Sequence, residues 1–207
     1  MKGYFRFPTI NKKSVCFVAE DDLWLVKKPR TTAIRITNSN GRIQNPVFDP
    51  SGEKVAFSSQ EEGGFEIYIL DLNGGRSKRM IYFAGVSFPV IWKNEKELIF
   101  RSNGKNFHRA FNSLYLINIE SGKIKELPYG MANHIWYSPD DKGVILGRNT
   151  RDPARWKRYR GGTAGRFYIK KSKERKFKRF LGDLSNITLP IWIAERIYFI
   201  SDHEGIG

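Results

Sequence analysis

Short apolar runs follow one another along the chain in a repeating order of four kinds. The first kind usually begins with proline, as in Pro46-Val47-Phe48, and the second follows a turn, as in Val55-Ala56-Phe57-Ser58. The third is centred on an aromatic residue, as in Ile67-Tyr68-Ile69-Leu70, and the fourth alternates with basic residues, as in Lys78-Arg79-Met80. Short runs rich in β-branched and aromatic residues predict strands, and no segment shows sustained helical spacing. The pattern therefore predicts an all-β chain.

The order of runs recurs five times, with first runs beginning at residues 8, 46, 89, 135 and 190. Turn residues stand where hairpins need them, as in Asp49-Pro50-Ser51-Gly52 and Asn73-Gly74-Gly75. Four short strands in each unit of about 40 to 50 residues indicate a β-propeller blade, a four-stranded antiparallel sheet. The predicted blades span about residues 7–44, 45–85, 86–133 and 134–186, with 187–207 as a partial fifth.

The fifth repeat supplies only its first two runs, Pro190-Ile191-Trp192 and Ile197-Tyr198-Phe199-Ile200. We therefore expect residues 1–207 to form an incomplete β-propeller of about four and a half blades, with an exposed edge. We interpret the chain as a truncated or fragmentary propeller. An irregular β-sandwich is the alternative, which we disfavour because sandwiches do not repeat a sequence motif in register.

Composition agrees with a folded domain and excludes several classes of protein. The chain has 207 residues, and its 15 Phe, nine Tyr and five Trp argue against disorder. Cys16 is the single cysteine, so it cannot form an intramolecular disulfide, and its apolar neighbours predict a core position. The uncharged stretch from Met80 to Trp92 is too short to span a bilayer. We expect a cytoplasmic protein without membrane contact.

The net charge of +15 is concentrated in one part of the fourth repeat. Residues 148–179 hold 14 basic and two acidic side chains, a local charge of 14 − 2 = +12. Arginine binds carboxylates through paired hydrogen bonds, whereas arginines interleaved with Trp156 and Tyr159 would also suit single-stranded nucleic acid. A solvated outer edge is the plain alternative. The candidate contacts to peptides or other anions are Arg148, Arg151, Arg155, Arg158 and Arg160.

The remaining candidate chemistry is weak. His203 lies in Ser201-Asp202-His203-Glu204-Gly205, where we expect neighbouring side chains on different faces and hence a turn histidine rather than a triad. His108 and His134 lack metal-ligand spacing. The glycine-rich run from Arg160 to Arg166 lacks the phosphate-loop lysine and precedes a predicted strand, so it indicates a structural turn. We predict no catalytic, metal or cofactor site.

Several longer strings resemble the tricorn protease family. The resemblance is most specific in the fourth repeat, where Gly147-Arg148-Asn149-Thr150 is followed by Trp156-Lys157-Arg158-Tyr159-Arg160-Gly161-Gly162-Thr163-Ala164-Gly165. The strand runs alone are shared with TolB-like and other propellers. Further strings similar to the amino-terminal tricorn propeller are Asp21-Asp22-Leu23-Trp24, Tyr82-Phe83-Ala84-Gly85 and the segment from Arg196 to Gly205.

The resemblance implies a six-bladed amino-terminal propeller within a larger protein. Full-length members add a seven-bladed propeller, a PDZ-like module and a serine-protease domain, and they assemble as cytoplasmic, chiefly archaeal homo-hexamers. They degrade short peptides downstream of the proteasome. By that resemblance, this chain would give scaffold, assembly and channel surface without catalytic groups. The arginine pair that holds the substrate carboxylate in relatives is missing after Gly85, where Val86-Ser87-Phe88-Pro89 follows.

Two rival functions remain open from the sequence. One is a stand-alone, TolB-like propeller that binds other proteins. The other, which we rank lower, is a basic propeller that binds nucleic acid. For the basic loop, the resemblance favours a role in propeller structure or in the passage of peptides over nucleic-acid binding.

Overall fold

A computed structural model describes residues 4–29, 32–150, 160–171, 174–184 and 186–204. These residues form only strands, turns and irregular segments. The strands pair into four four-stranded sheets and one two-stranded sheet, so the prediction of four-stranded antiparallel blades is confirmed. The fifth repeat forms a two-stranded sheet only.

The sheets follow the chain in order, and each complete sheet is named a blade here. Blade 1 contains β1 (Arg6–Ile10), β2 (Ser14–Ala19), β3 (Asp22–Lys27) and β4 (Ile34–Arg35). Blade 2 contains β5 (Ile43–Phe48), β6 (Lys54–Ser59), β7 (Glu66–Asp71) and β8 (Lys78–Arg79). Blade 3 contains β9 (Ser87–Trp92), β10 (Glu97–Ser102), β11 (Ser113–Asn118) and β12 (Ile124–Met131). Blade 4 contains β13 (His134–Tyr137), β14 (Val144–Arg148), β15 (Arg166–Lys170) and β16 (Lys178–Phe180). A fifth sheet, the terminal hairpin, contains β17 (Ile187–Ile193) and β18 (Arg196–Ser201).

The turn between β5 and β6 shows how the sequence sets a hairpin. The Asp49 carboxylate accepts a hydrogen bond from the Lys54 amide at 2.8 Å, and the Asp49 carbonyl accepts one from the Gly52 amide at 3.0 Å. Gly52 has φ of 78°, a left-handed conformation that glycine adopts without steric cost. The Asp-Pro-Ser-Gly string therefore closes this turn by the mechanism that its composition predicts.

Proline interrupts the ladder of the first strand in most sheets. The register between first and second strands shifts at or beside Pro8, Pro46, Pro89 and Pro190. β13 has no proline, and its pairing with β14 is regular throughout. Proline has no backbone N–H to donate, so the ladder loses a bond there and a bulge forms.

The described chain divides into two compact units, and the first comprises residues 1–111 and 115–127. Its core lies between the faces of consecutive sheets. Between blades 1 and 2 the buried residues include Val18, Leu23, Ile43, Phe57 and Tyr68. Between blades 2 and 3 they include Ile67, Trp92, Leu98, Phe100 and Tyr115. This packing explains why the second and third strands read as nearly continuous apolar runs.

The second unit comprises residues 112–114 and 128–207. Its small core contains Ile145, Phe167 and Ile187, against which the Phe199 ring packs edge-on with ring centres 5.8 Å from Phe167. The Trp136 indole N–H donates to the Trp192 carbonyl at 3.0 Å. One face of the terminal hairpin is thus fastened to blade 4.

The opposite face of the terminal hairpin is exposed. Tyr198 and Ile200 of β18 are 51% and 48% exposed, whereas the equivalent second strand of blade 2, β6, is buried over five of its six residues. Leu189, Ile191 and Ile193 of β17 are also exposed.

No helix among the described residues is long and apolar enough to cross a bilayer.

Candidate functional site

The structure covers part of the predicted basic site. Arg148 is the last residue of β14, and Arg160 is exposed at the start of the segment that leads into β15. The other predicted contacts, Arg151, Arg155 and Arg158, lie outside the described residues, as do Trp156 and Tyr159. The structure therefore describes only the two ends of the loop that carries the candidate arginines.

Arg148 is held in place at the base of this loop. Its Nη2 donates to the Tyr129 carbonyl at 3.4 Å, and its guanidinium carbon lies 5.0 Å from the centre of the Tyr168 ring. This stacking on an aromatic face stabilises the cation. The Arg148 Nε is buried and has no hydrogen-bond partner in the described part of the chain.

Thr150 fixes the chain where it leaves β14. Its side-chain oxygen lies 2.8 Å from the His134 Nδ1, and its carbonyl accepts a hydrogen bond from the Thr188 hydroxyl at 3.2 Å. Between Arg148 and Thr150, Asn149 has φ of 54°, a left-handed conformation that asparagine tolerates better than most residues. The base of the loop is therefore positioned by both blade 4 and the terminal hairpin.

Arg166 is a site residue that the sequence interpretation did not single out. It is the first residue of β15 and pairs directly with Arg148 across the sheet. Within the described residues, its Nε is also buried without a hydrogen-bond partner, and neither arginine forms an ion pair. The two arginines are therefore cross-strand partners, and no carboxylate of the described residues pairs with either one.

The same position in blade 1 holds a buried carboxylate. Asp22 is the first residue of β3 and pairs with Ala19, the last residue of β2. Its carboxylate accepts hydrogen bonds from the Arg35 guanidinium, from the Thr37 hydroxyl at 2.7 Å and from the Ser39 amide at 2.8 Å. Asp22 thus ties the third strand to the fourth strand and to the segment that leaves the blade.

Blade 2 repeats this arrangement with glutamate. Glu66 begins β7 and pairs with Ser59, the last residue of β6. Its carboxylate lies 4.0 Å from the Arg79 Nη2. Burial raises the pKa of Glu66 to about 7, although the positive charge of Arg79 opposes this shift.

The fourth strands of blades 1, 2 and 4 each carry an arginine at the same register position. Arg35 pairs with Trp24, Arg79 with Tyr68 and Arg179 with Tyr168, so each arginine stands opposite the central aromatic of its third strand. In blades 1 and 2 this arginine meets a carboxylate. In blade 4 the carboxylate is replaced by Arg166. The signal that would have found Arg166 was available: aligning the repeats at their aromatic residue places Asp22, Glu66 and Arg166 together.

The glycine-rich run before Arg166 forms a turn, as the sequence predicted. The Ala164 amide donates to the Gly161 carbonyl at 3.1 Å, and β15 follows. Gly165 stands so close to the terminal hairpin that a Cβ there would lie 2.3 Å from the Ile187 carbonyl oxygen. This glycine is therefore required for the close approach of two backbones.

His203 lies in a turn, as predicted, but its neighbours are nearer than expected. Its Nδ1 is 2.9 Å from the Ser201 hydroxyl, and its Nε2 is 3.5 Å from the Glu204 carboxylate. The expectation that these side chains point to different faces was wrong, because the chain turns after Ser201. The Ser201 hydroxyl also accepts the His203 amide N–H at 3.4 Å, a local turn contact. His203 and Glu204 are exposed and Ser201 is half-buried, which favours the turn interpretation.

The other candidate residues have structural surroundings. Cys16 is fully buried, and burial raises the pKa of its thiol to about 12, as expected for a core cysteine. The His108 Nδ1 accepts the Ala110 amide at 3.3 Å, and the ring packs on Phe111. Among the described residues, no group of three or more His, Cys, Asp or Glu side chains is placed to hold a metal ion.

Comparison with protein families gives a match over nearly the whole chain. The profile described as the tricorn protease N-terminal beta propeller domain matches residues 2–207. A tricorn protease homolog of Saccharolobus solfataricus is 34% identical, covering 100% of this chain and 20% of the relative. The tricorn protease of Thermoplasma acidophilum is 29% identical over 97% of this chain and 19% of its own length. The chain thus spans about a fifth of the length of these relatives.

One relative is of similar length. A tricorn-like protease N-terminal subunit of Sulfurisphaera tokodaii is 32% identical, and the alignment covers 84% of this chain and 89% of that protein. Among solved structures, the tricorn protease crystal structure matches 99% of this chain and 21% of its own, with a TM-score of 0.87 and 28% identity. A TolB of Agrobacterium tumefaciens matches 92% of this chain and 66% of its own with a TM-score of 0.69 at 16% identity, a likeness of fold alone.

Proposed function

Because the chain belongs to the family of tricorn protease N-terminal β-propeller domains, we propose that it is the propeller part of a tricorn-like serine peptidase that degrades short peptides. The observation that carries this proposal is the family match across residues 2–207, together with the close agreement of fold with the tricorn protease crystal structure. The chain would act as scaffold, assembly surface and channel wall. The chemistry of peptide cleavage would come from a protease domain elsewhere in the assembly.

We further propose that the four blades and the terminal hairpin are about four and a half blades of a six-bladed ring. The exposed Tyr198 and Ile200 of β18 support this, because the equivalent strands of complete blades are covered. The missing strands would come from a further segment or a second polypeptide. A tricorn-like relative from Sulfurisphaera tokodaii is described as an N-terminal subunit, and the same division into subunits here would place the missing strands on a second polypeptide.

The assembled protein would be a cytoplasmic homo-hexamer that includes a second propeller, a PDZ-like module and the protease domain. The basic loop of blade 4, with Arg148, Arg151, Arg155, Arg158 and Arg160, would face peptides or other anions in this assembly. Arginine suits this role because its planar guanidinium binds carboxylates through two parallel hydrogen bonds.

Co-expression tests the assembly. The chain is produced with an affinity tag together with the tricorn-like polypeptide that carries the protease domain in the same genome, and the purified material is examined by native mass spectrometry. The proposal predicts a stoichiometric complex that contains both polypeptides. Separate elution of the two, with the chain folded and monomeric, would instead favour the stand-alone propeller.

A further inference from the structure

We propose that Arg148 and Arg166 form a binding site for a small oxyanion of the carboxylate or phosphate type. This inference goes beyond the proposed function, since it concerns a site within blade 4 that would exist whether or not the chain works in a peptidase. The site lies where the second strand of blade 4 ends and its third strand begins. It rests on three observations about charge, hydrogen bonding and equivalence between blades.

The two arginines repel each other across the sheet. Arg148 and Arg166 are directly opposite in the antiparallel pairing of β14 with β15. Like charges at directly opposite positions destabilise a sheet. No carboxylate of the described residues forms an ion pair with either one, although both side chains are half-buried. An anion between them would remove this repulsion.

Both arginines also have an unused hydrogen-bond donor. Each Nε is buried and lacks a partner within the described chain. A buried donor of a charged group is costly when it is left unsatisfied. An oxyanion has several acceptor atoms. A guanidinium can bind two of them at once through parallel hydrogen bonds, and one edge that does so includes Nε. Carboxylate and phosphate therefore fit this pair better than a monatomic anion does.

The other blades show which group belongs at this position. Asp22 in blade 1 and Glu66 in blade 2 occupy the register position of Arg166, and each brings a carboxylate beside the arginine of the fourth strand. In blade 4 the fourth-strand arginine, Arg179, is kept, but the carboxylate is not. Blade 4 thus has Arg166 where blades 1 and 2 have an acidic residue. A carboxylate from outside the blade would restore the pairing of an acid with the arginines at this position.

The neighbourhood orients the site. The Tyr168 ring supports the Arg148 guanidinium at 5.0 Å, and the Tyr129 carbonyl accepts its Nη2. These contacts use one face and one donor of Arg148 and leave its Nε available. Gly165 locks the start of β15 against Ile187, so Arg166 is attached to backbone that has little room to move. A pre-positioned pair of donors loses little entropy on binding.

Anion-dependent stability tests the site directly. The full chain is unfolded by heat at pH 7.5 in sodium chloride, sodium phosphate or sodium acetate at equal ionic strength. A ligand that binds only the folded state raises the midpoint, and a shift of about 2–4 °C over chloride is expected for the oxyanion that binds. Because phosphate also stabilises folded proteins by exclusion from their surface, a phosphate shift identifies a phosphate site, and an acetate shift a carboxylate site, only where Arg166→Glu abolishes it. Equal midpoints in all three salts would overturn the proposal.

Charge reversal gives an independent test with a matched control. Arg166→Glu restores the residue type of blades 1 and 2, so we expect it to raise the midpoint in chloride and to abolish the response to phosphate and acetate. Arg148→Gln should also abolish the response. Arg175→Glu makes the same change of charge on an exposed residue of the same blade and should keep the response. Retention of the response in both Arg166→Glu and Arg148→Gln would refute the assignment, as would its loss in Arg175→Glu.

Isothermal titration with phosphate or acetate provides a readout that does not depend on the stability of the variants. Heat of binding is expected for the wild-type chain and Arg175→Glu. It should be lost in Arg148→Gln and Arg166→Glu while their circular dichroism remains that of a β-protein. A wild-type chain that gives no heat with either oxyanion would contradict the proposal.

Discussion

Glu66 and Arg166 occupy one equivalent position in two blades of the same chain, yet they carry opposite charges. Each is the first residue of a third strand and pairs with the last residue of the second strand. In blade 2, Glu66 pairs with Arg79, whereas in blade 4, Arg166 lies directly across the sheet from Arg148. A position that holds a buried acid in one blade thus holds a base in another blade, where it forms part of a candidate site for an external anion.

Loss of the buried carboxylate in blade 1 should destabilise the protein markedly. Asp22→Ala removes the acceptor of three hydrogen bonds and leaves Arg35 without its carboxylate partner. Because Arg35 is partly exposed, we expect a loss of about 2–4 kcal/mol in the free energy of unfolding, measured with denaturant. The neighbouring Asp21→Ala breaks a more exposed ion pair with Arg6 and should cost at most about 1 kcal/mol. Equal losses in the two variants would contradict the structural role of Asp22.

Glu66 should give the protein a measurable dependence of stability on pH. Its pKa is raised from 4.5 to about 7 in the folded state, so the folded protein binds the extra proton more tightly than the unfolded chain. The associated stabilisation is fully present below about pH 4.5 and is lost as the pH rises to about 7. The difference in unfolding free energy between wild type and Glu66→Gln should therefore fall by up to about 3 kcal/mol over this range.

Denaturant titrations between pH 4.5 and 8 measure this difference. Glu62→Gln is the matched control, because Glu62 also pairs with Arg79 but is largely exposed. We expect Glu62→Gln to keep the wild-type dependence on pH. A Glu66→Gln variant with the wild-type dependence would show that another group is responsible.

Gly165 should tolerate no side chain. A Cβ at this residue would lie 2.3 Å from the Ile187 carbonyl oxygen, and a backbone atom cannot rotate away as a side chain can. We expect Gly165→Ala to lower the free energy of unfolding by more than about 2 kcal/mol and to increase hydrogen exchange in the terminal hairpin. Gly162→Ala is the control, since a Cβ added at Gly162 would meet no atom within 4 Å. Similar behaviour of the two variants would argue against the close approach.

The exposed face of the terminal hairpin should make the isolated chain associate. Ile200 is 48% exposed on β18, a strand whose outer edge has no partner strand among the described residues. Exposed apolar edges promote pairing between molecules, and charge suppresses it. We expect Ile200→Lys to reduce light scattering and the apparent mass in solution, whereas Phe107→Lys, at an exposed apolar residue in the loop between β10 and β11, should not. Unchanged association in Ile200→Lys would exclude this edge as the contact.

The sequence predicts the blades because each strand is encoded locally. The aromatic-centred runs around Trp24, Tyr68, Tyr115 and Tyr168 all lie in third strands, and the turn residues close the hairpins as their chemistry requires. Repetition makes the prediction robust, because a register error in one blade would be visible against the others. Repetition alone does not identify the family, because other propellers share these strand runs; the long string of the fourth repeat, from Gly147 to Gly165, is the more specific signal.

The site was harder to predict because it depends on pairs across strands. Arg148 was identified from its place in the basic loop, but its partner Arg166 lies after the glycine turn and is brought back only by the pairing of β14 with β15. Likewise, the contact between Ser201 and His203 arises from a turn whose geometry the strand pattern did not reveal. Residues that differ between repeats, rather than those that recur, define the candidate site in blade 4.

Peptide hydrolysis tests the central claim most directly. The purified chain, the polypeptide that carries the tricorn-like protease domain, and their mixture are each incubated with short fluorogenic peptides, with and without a serine-directed inhibitor. We predict no cleavage by the chain alone and inhibitor-sensitive cleavage by the mixture that exceeds the activity of the protease polypeptide alone. Cleavage by the chain alone, or a mixture no more active than the protease polypeptide, would contradict its role as the propeller part of a peptidase.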